Sequence, residues 1–150
     1  MQKLMSVWML ILVVMSLWVL SAIALTGQIE GGLQINQAIC VNRTTPTTIT
    51  VIAMGTGFDC GSDFPTALGD QITIVLAATG DTGGGTDVTG QLDGGLQIDQ
   101  VICVNSITSN SFIGPGTGTA FECGANVLSA PGDQITIVLF ATGSTGSPRR

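Results

Sequence analysis

Four cysteines are the residues of this 150-residue chain whose types and spacing most clearly suggest chemistry. Cys40 and Cys60 return as Cys103 and Cys123, at an offset of 63 residues. The chain has no histidine and no Cys-x-x-Cys, so its cysteines do not resemble a zinc site or a redox motif. Since each repeat must close on itself, we predict the disulfides Cys40–Cys60 and Cys103–Cys123. Closing each loop with a disulfide is expected to stabilise the folded chain by roughly 3 kcal/mol.

Carboxylates are the other candidates for chemistry. Beyond residue 24 there is no histidine, lysine, tyrosine or tryptophan, so general acid–base or nucleophilic catalysis lacks its usual groups. A carboxylate pair for glycoside hydrolysis would need aromatic platforms, and we assign the five phenylalanines to the core. We expect no catalytic residues and no cofactor, and therefore no enzyme.

Calcium is the one metal that this inventory of oxygen ligands suits. Glu30 and Asp93 occupy equivalent positions before Gly-Gly, and Asp70 and Asp133 begin equivalent strands. No Asp-x-Asp-x-Asp-Gly loop is present, and turn and capping roles explain these acids. We predict no metal site. Asn42-Arg43-Thr44 forms a sequon, so Asn42 is a candidate glycosylation site in a eukaryotic host.

Residues 1–24 read as a signal peptide. Lys3 precedes an apolar run from Leu4 to Leu20, and Ala22-Ile23-Ala24 fits signal peptidase, which predicts cleavage after Ala24. The alternative is an uncleaved membrane anchor, because an uncharged run of this length can cross a bilayer as a helix. Both readings predict that the rest of the chain is secreted, extracellular or at the cell surface.

The remainder is acidic. Three arginines against ten Asp and Glu residues give a net charge of −7 after residue 24. This charge argues against binding to nucleic acid or to anionic lipid. We therefore expect no nucleic-acid partner, and no membrane contact unless the N-terminal helix is retained.

An internal repeat sets the organisation of the chain. The segment from Gly69 to Leu76 returns unchanged as Gly132 to Leu139. We predict an all-β protein with two tandem small disulfide-stapled domains, sandwich-like or barrel-like, after the signal helix. The boundaries are 25–80 for the first domain, 81–88 for a Gly-rich linker and 89–150 for the second domain with its short polar tail.

Alternation of apolar and polar residues locates the strands. Leu33, Ile35, Ile39 and Val41 share one parity and are expected on one buried face, with a bend or bulge near Gln37. Further strands are predicted at 47–53 and from residue 71 onward, with its counterpart from 134. In the second repeat, Gly114-Pro115-Gly116 is expected to break the strand that corresponds to 47–53.

The Cys-Val-Asn motif and the cysteine spacing resemble the chaplin surface proteins of filamentous bacteria. The residues around Cys40 and Cys103 depart from the chaplin pattern, so we assign no family.

Two functions are compatible with these features. The first is a structural subunit of an extracellular filament, sheath or coat, whose partner is another copy of itself. Its N-terminal strand, with Gln28, Ile29, Leu33 and Ile35, would add to a neighbouring subunit. The alternative is a secreted or anchored adhesin or binding module with specificity in the loops between the cysteines.

Overall fold

The computed structural model describes residues 25–51, 55–61, 64, 66–80 and 86–143. The predicted signal segment, 1–24, lies outside the described residues, as do 81–85 of the predicted linker and the C-terminal 144–150. Within the described ranges, no helix is long and apolar enough to cross a bilayer.

All the secondary structure of this part is β. The strands of the first repeat are β1 (Thr26–Glu30), β2 (Leu33–Asn42), β3 (Thr47–Val51), β4 (Gly57–Asp59) and β5 (Gln71–Gly80). Those of the second repeat are β6 (Thr86–Asp87), β7 (Thr89–Asp93), β8 (Leu96–Asn105), β9 (Asn110–Pro115), β10 (Ala120–Glu122), β11 (Leu128–Ser129) and β12 (Gln134–Gly143). The predicted all-β class is confirmed.

Two antiparallel sheets enclose the core. The large sheet has six strands in the order β3-β2-β5-β12-β8-β9, and the small sheet has four in the order β10-β7-β1-β4. A two-stranded ribbon joins β11 to β6. Buried side chains from both sheets, such as Ile29 and Leu92 of the small sheet and Ile74 and Ile137 of the large one, form a single cluster. The architecture is therefore a sandwich.

The two repeats are related by an approximate two-fold axis. In the small sheet Gln28 lies opposite Gln91, and in the large sheet Val75 lies opposite Val138. Each pair consists of equivalent residues of the two repeats. When equivalent residues of two antiparallel strands lie opposite each other, a local two-fold axis passes between them. Each repeat therefore supplies half of each sheet.

This arrangement differs from the two separate domains that the repeat predicts. Continuous sheets cross the repeat boundary at β1–β7 and at β5–β12, and one hydrophobic cluster serves both repeats. The prediction of two separately closed domains is thus not supported. A unit of about 60 residues buries little apolar surface alone, and sharing both sheets enlarges the core.

The predicted flexible linker is in part a structured element. Thr86 and Asp87 form β6, which pairs with β11, and Val88 is fully buried. Val88 also accepts a hydrogen bond at its carbonyl oxygen from the amide of Cys123, at 2.8 Å. The end of the predicted linker, residues 86–88, therefore belongs to the sandwich.

A β-bulge occurs where Gln37 predicts one. The register between β2 and β5 shifts between Ile35 and Gln37, and the equivalent shift between β8 and β12 passes over Asp99. The bulge has a consequence that the alternation did not predict. Leu33 and Ile35 are buried. After the bulge the even-numbered side chains point into the core, so Ile39 and Val41 lie on the outer face. Their assignment to the buried face was wrong.

The strand of the second repeat that was expected to break does not. β9 pairs with β8 as far as Pro115, which lies opposite Gln100. β9 is an edge strand, where proline's missing N–H need not leave a partner unsatisfied. Both repeats therefore have the same large-sheet hairpin, β2–β3 and β8–β9.

Candidate assembly surface

The cysteines form the two predicted disulfides. Cys40 is bonded to Cys60 and Cys103 to Cys123, and all four side chains are fully buried. Each bridge joins a central strand of the large sheet to the residue that follows an edge strand of the small sheet. The disulfides hold the two layers together, and no cysteine is left free for chemistry.

Asn42 has a structural role that competes with glycosylation. The residue is fully buried, and its Nδ2 donates to Oδ2 of Asp70 at 2.9 Å. Its Oδ1 accepts from the amides of Thr44 and Thr45 at 2.9 and 3.0 Å. A glycan on Nδ2 would have to occupy the space of this buried contact. The geometry therefore speaks against Asn42 as a glycan acceptor in the folded chain.

The second repeat contains the same polar connection. Asn105 Nδ2 donates to Asp133 Oδ2 at 2.8 Å, and Asp133 Oδ2 also accepts from the amide of Ala130 at 3.1 Å. The equivalent Asp70 Oδ2 accepts from the amide of Ala67 at 3.0 Å. The predicted turn and capping roles of both aspartates are confirmed, and each Asn–Asp pair ties a hairpin turn to the turn that launches the last strand of its repeat.

Four other acids lie on the outer face of the small sheet. Thr89 sits between Glu122 on β10 and Glu30 on β1, and Thr26 sits equivalently between Asp93 on β7 and Asp59 on β4. All four carboxylates are on exposed residues. Among the described residues no three acidic, cysteine or histidine side chains converge as metal ligands. The outer face of the small sheet therefore carries four solvent-exposed carboxylates.

Two shallow hollows lie beside these acidic residues and the threonines between them. One, of about 430 Å³, lies along β1 and β4 beside Thr26 and Asp59, and the other, of about 310 Å³, lies along β7 and β10 beside Thr89 and Glu122. The approximate two-fold axis relates them. The first hollow is lined largely by apolar groups, including Val51 and Phe58, and the second mixes the Phe121 ring with hydroxyl, amide and carboxylate groups.

The strand that was predicted to join a neighbouring subunit is already paired within the chain. β1 lies inside the small sheet, with β7 on one side and β4 on the other. Ile29, Leu33 and Ile35 are buried in the core, and Gln28 is exposed on the outer face. The prediction that this segment is a free strand is not supported, because the inner copy of the same sequence, β7, supplies its partner.

Among the described residues the unpaired edges lie elsewhere, and the two sheets differ in how their edges are protected. The small sheet ends in β4 and β10, which have only three residues each and carry the exposed acids Asp59 and Glu122. Short edges and charges both discourage pairing with another chain. The large sheet ends in β3 and β9, which have five and six residues and no charged side chain.

The residues of β3 and β9 favour strand pairing. Thr48 and Thr50 of β3 point outward and are exposed, and Ile113 of β9 is 64% exposed. Threonine and isoleucine have high β propensity. Pro115 protects only the last position of β9. The sequence predicts a strand at 47–53 but not its counterpart in the second repeat, because Gly114 and Pro115 are typical of a strand break.

The direction of the two edge strands fits addition of one copy to the next. Every neighbouring pair in the large sheet is antiparallel, and the sheet has an even number of strands, so β3 and β9 run in opposite directions. A second copy placed beside the first without rotation would present its β3 to β9 as an antiparallel neighbour. The sheet can thus continue from copy to copy.

No protein-family model, no curated protein and no solved structure gives a significant match to this chain. The chain is thus described by its own features: an all-β, disulfide-bonded sandwich of two fused repeats with open, uncharged large-sheet edges.

Proposed function

We propose that this chain is a structural subunit of an extracellular assembly, a filament, sheath or coat, in which copies add to one another by β-strand pairing. The proposal is carried by two uncharged edge strands of opposite direction, β3 and β9, which have no pairing partner on their outer side in the part of the chain that the structure describes. Pairing of unlike edges is head-to-tail, and head-to-tail contacts that do not close into a ring give open fibres. No catalytic reaction is part of this function.

Charge sets the conditions for assembly. The net charge of −7 after residue 24 opposes association at long range, but physiological salt screens interactions beyond roughly 8 Å. Asp59 and Glu122 belong to the small sheet, whereas the edges that pair belong to the large sheet. We therefore expect assembly to increase as salt is raised from low to physiological concentration.

Export is part of the proposal. Two disulfides are typical of proteins that mature in an oxidising compartment, which supports a secreted or cell-surface location. Determining the N-terminus of the protein isolated from its cells tests this: a chain that begins at Leu25 and lies outside the cell is the expected result. A chain that begins at Met1 and requires detergent would establish the anchored form instead.

Lysine substitutions at the edges test the assembly itself. Thr50→Lys and Ile113→Lys place a positive charge on β3 and β9, directly beside the position of an incoming strand, and charged edge residues of this kind discourage pairing. Gln28→Lys adds the same charge on the central β1 and serves as the control. Negative-stain microscopy and light scattering should show fibres or large oligomers for the parent chain and the control, and shortened or absent ones for each edge variant.

The competing function, an adhesin with specificity between the cysteines, predicts a different result. β3 and β9 lie within those segments, so they would contact a ligand instead of another copy. A parent chain that stays monomeric at high concentration and in salt would overturn the structural-subunit proposal and favour the binding module.

A further inference from the structure

The outer face of the large sheet is apolar along its centre. Ile39 lies opposite Val75, Val75 opposite Val138, and Val138 opposite Ile102, so four aliphatic side chains from four adjacent strands form one row. We call these four residues the aliphatic row. All four are partly exposed. They face outward because the bulges in β2 and β8 reverse which side chains enter the core.

The neighbouring rows extend this surface. One contains Val41, Thr73 and Phe140, and the other contains Ala77, Thr136 and Val104. These residues too are partly exposed. Contiguous apolar side chains that remain accessible on an outer face often mark a contact surface.

Charge is nearly absent from the same face. Among the outward residues of its six strands, Asp99 alone is charged, and it lies at a bulge, where its carboxylate accepts from the Thr142 hydroxyl. Arg43 approaches from the turn after β2, with its Cζ 5.8 Å from the centre of the Phe140 ring. The outer face of the small sheet carries four carboxylates in contrast. The apolar face is thus where two copies of this acidic chain can approach with least repulsion.

Symmetry and size both fit a second copy as the occupant. The approximate two-fold axis passes between Val75 and Val138, at the centre of the aliphatic row, so the face presents the same pattern in two orientations. The four central strands have ten residues each. At about 3.4 Å per residue and about 4.8 Å between strands, these four strands alone give a face of about 650 Å². Two such faces bury about 1,300 Å² together, which lies within the range of specific interfaces.

We propose that the outer face of the large sheet packs against the same face of a second copy, with the aliphatic rows in contact. The sheets would lie about 10 Å apart, as in other sheet-on-sheet packings. This contact is separate from strand pairing at the edges. Edge pairing lengthens the large sheet, whereas face packing stacks the large sheets of two copies. A dimer through the face can therefore form even if the proposed edge assembly does not.

Spin labels at two positions on the approximate axis test the geometry. All four cysteines are in disulfides, so Val75→Cys supplies the only free thiol in the chain. In the proposed dimer, labels at Val75 on the two copies are closer than about 20 Å, because one layer spacing separates them. Gln28→Cys on the small sheet is the control. Its labels are separated by three layer spacings, about 30 Å or more.

The measurement is electron–electron dipolar coupling on the purified full chain without edge substitutions. Edge pairing would separate the Val75 labels of successive copies by six strand spacings, about 29 Å, so it does not produce the short distance expected between the faces. Short distances at Val75 and long ones at Gln28 are the expected result. A monomer without coupling at Val75 would overturn the proposal. A monomer whose Val75 label is immobilised would also overturn it. That result would mean that the apolar segment Leu4 to Leu20 of the same chain covers the face in place of a second copy.

A polar variant of the same shape gives a second test. Val75→Thr with Val138→Thr keeps strand-forming residues of similar volume, so the sandwich should fold with both disulfides. We expect the dissociation constant of the face dimer to rise at least tenfold. Thr26→Val with Thr89→Val, on the small sheet, should leave it unchanged. Equal dimerisation of the Val75 and Val138 variant and the parent would contradict the proposal, and fibres that persist in this variant would leave the edge proposal standing.

Discussion

Val75 lies directly opposite Val138 at the centre of the β5–β12 pair, and the two valines occupy the same position in the two repeats. The strands that meet at this axis are almost identical: QITIVLAATG in the first repeat and QITIVLFATG in the second. At the other contact, TGQIE pairs with TGQLD. The repeats are thus closely similar in sequence where they pair with each other.

This relationship predicts that one repeat alone forms a symmetric homodimer. In a chain of residues 25–80, the strands β1 and β5 would lack their partners, and a second copy offers nearly the same sequences. We expect Gln28 and Val75 each to pair with their own counterparts. Sedimentation of this fragment should show a dimer with native-like β circular dichroism. A folded monomer would show that each repeat closes its own core, as the sequence alone predicts.

Loss of one disulfide should destabilise both repeats together. Cys40→Ser removes the link between the layers of the first repeat and is expected to lower the free energy of unfolding by roughly 2–5 kcal/mol. Because the core is shared, denaturant unfolding should remain a single transition for this variant and for Cys103→Ser. Two separate transitions, with only one of them shifted, would show that the repeats unfold independently.

Asn42→Ala should cost more stability than its small change in volume suggests. The substitution removes the hydrogen bonds to Asp70, Thr44 and Thr45, and a buried hydrogen bond to a charged group contributes about 1.5–3 kcal/mol. We expect a loss of about 3 kcal/mol in chemical denaturation. Asn36→Ala, which removes an exposed contact to Thr79, is the matched control and should cost below about 1 kcal/mol. Equal losses would rule out this role for Asn42.

Gly80 is required by a close approach between the repeats. A Cβ at this position would collide with the carbonyl oxygen of Ala130, which is backbone and cannot rotate away. Gly80→Ala should therefore destabilise the chain by about 1–3 kcal/mol. Gly57→Ala is the control, because its Cβ would lie 3.6 Å from the nearest neighbour. Thermal unfolding of the two variants compares them directly, and an unaffected melting temperature for Gly80→Ala would contradict the packing described.

The disulfides, the strands and the bulge near Gln37 could be predicted from the sequence because each depends on local spacing or alternation. The way the repeats share their sheets could not, because β1 has equal local propensity whether it pairs with β7 or with another molecule. The outer aliphatic row was missed for a related reason. A bulge of one residue reverses the face of every later side chain, so Ile39 and Val41 read as core until the register is known.

The central claim is that copies add to one another at β3 and β9, and amide hydrogen exchange tests it most directly. Exchange of the purified chain would be followed by mass spectrometry at low concentration and low salt, and again at high concentration in physiological salt. The account predicts that protection rises in Thr47–Val51 and Asn110–Pro115 on assembly, with little change in Gly57–Asp59 and Ala120–Glu122. Unchanged protection in the two large-sheet edges, or a rise confined to the small-sheet edges, would contradict it.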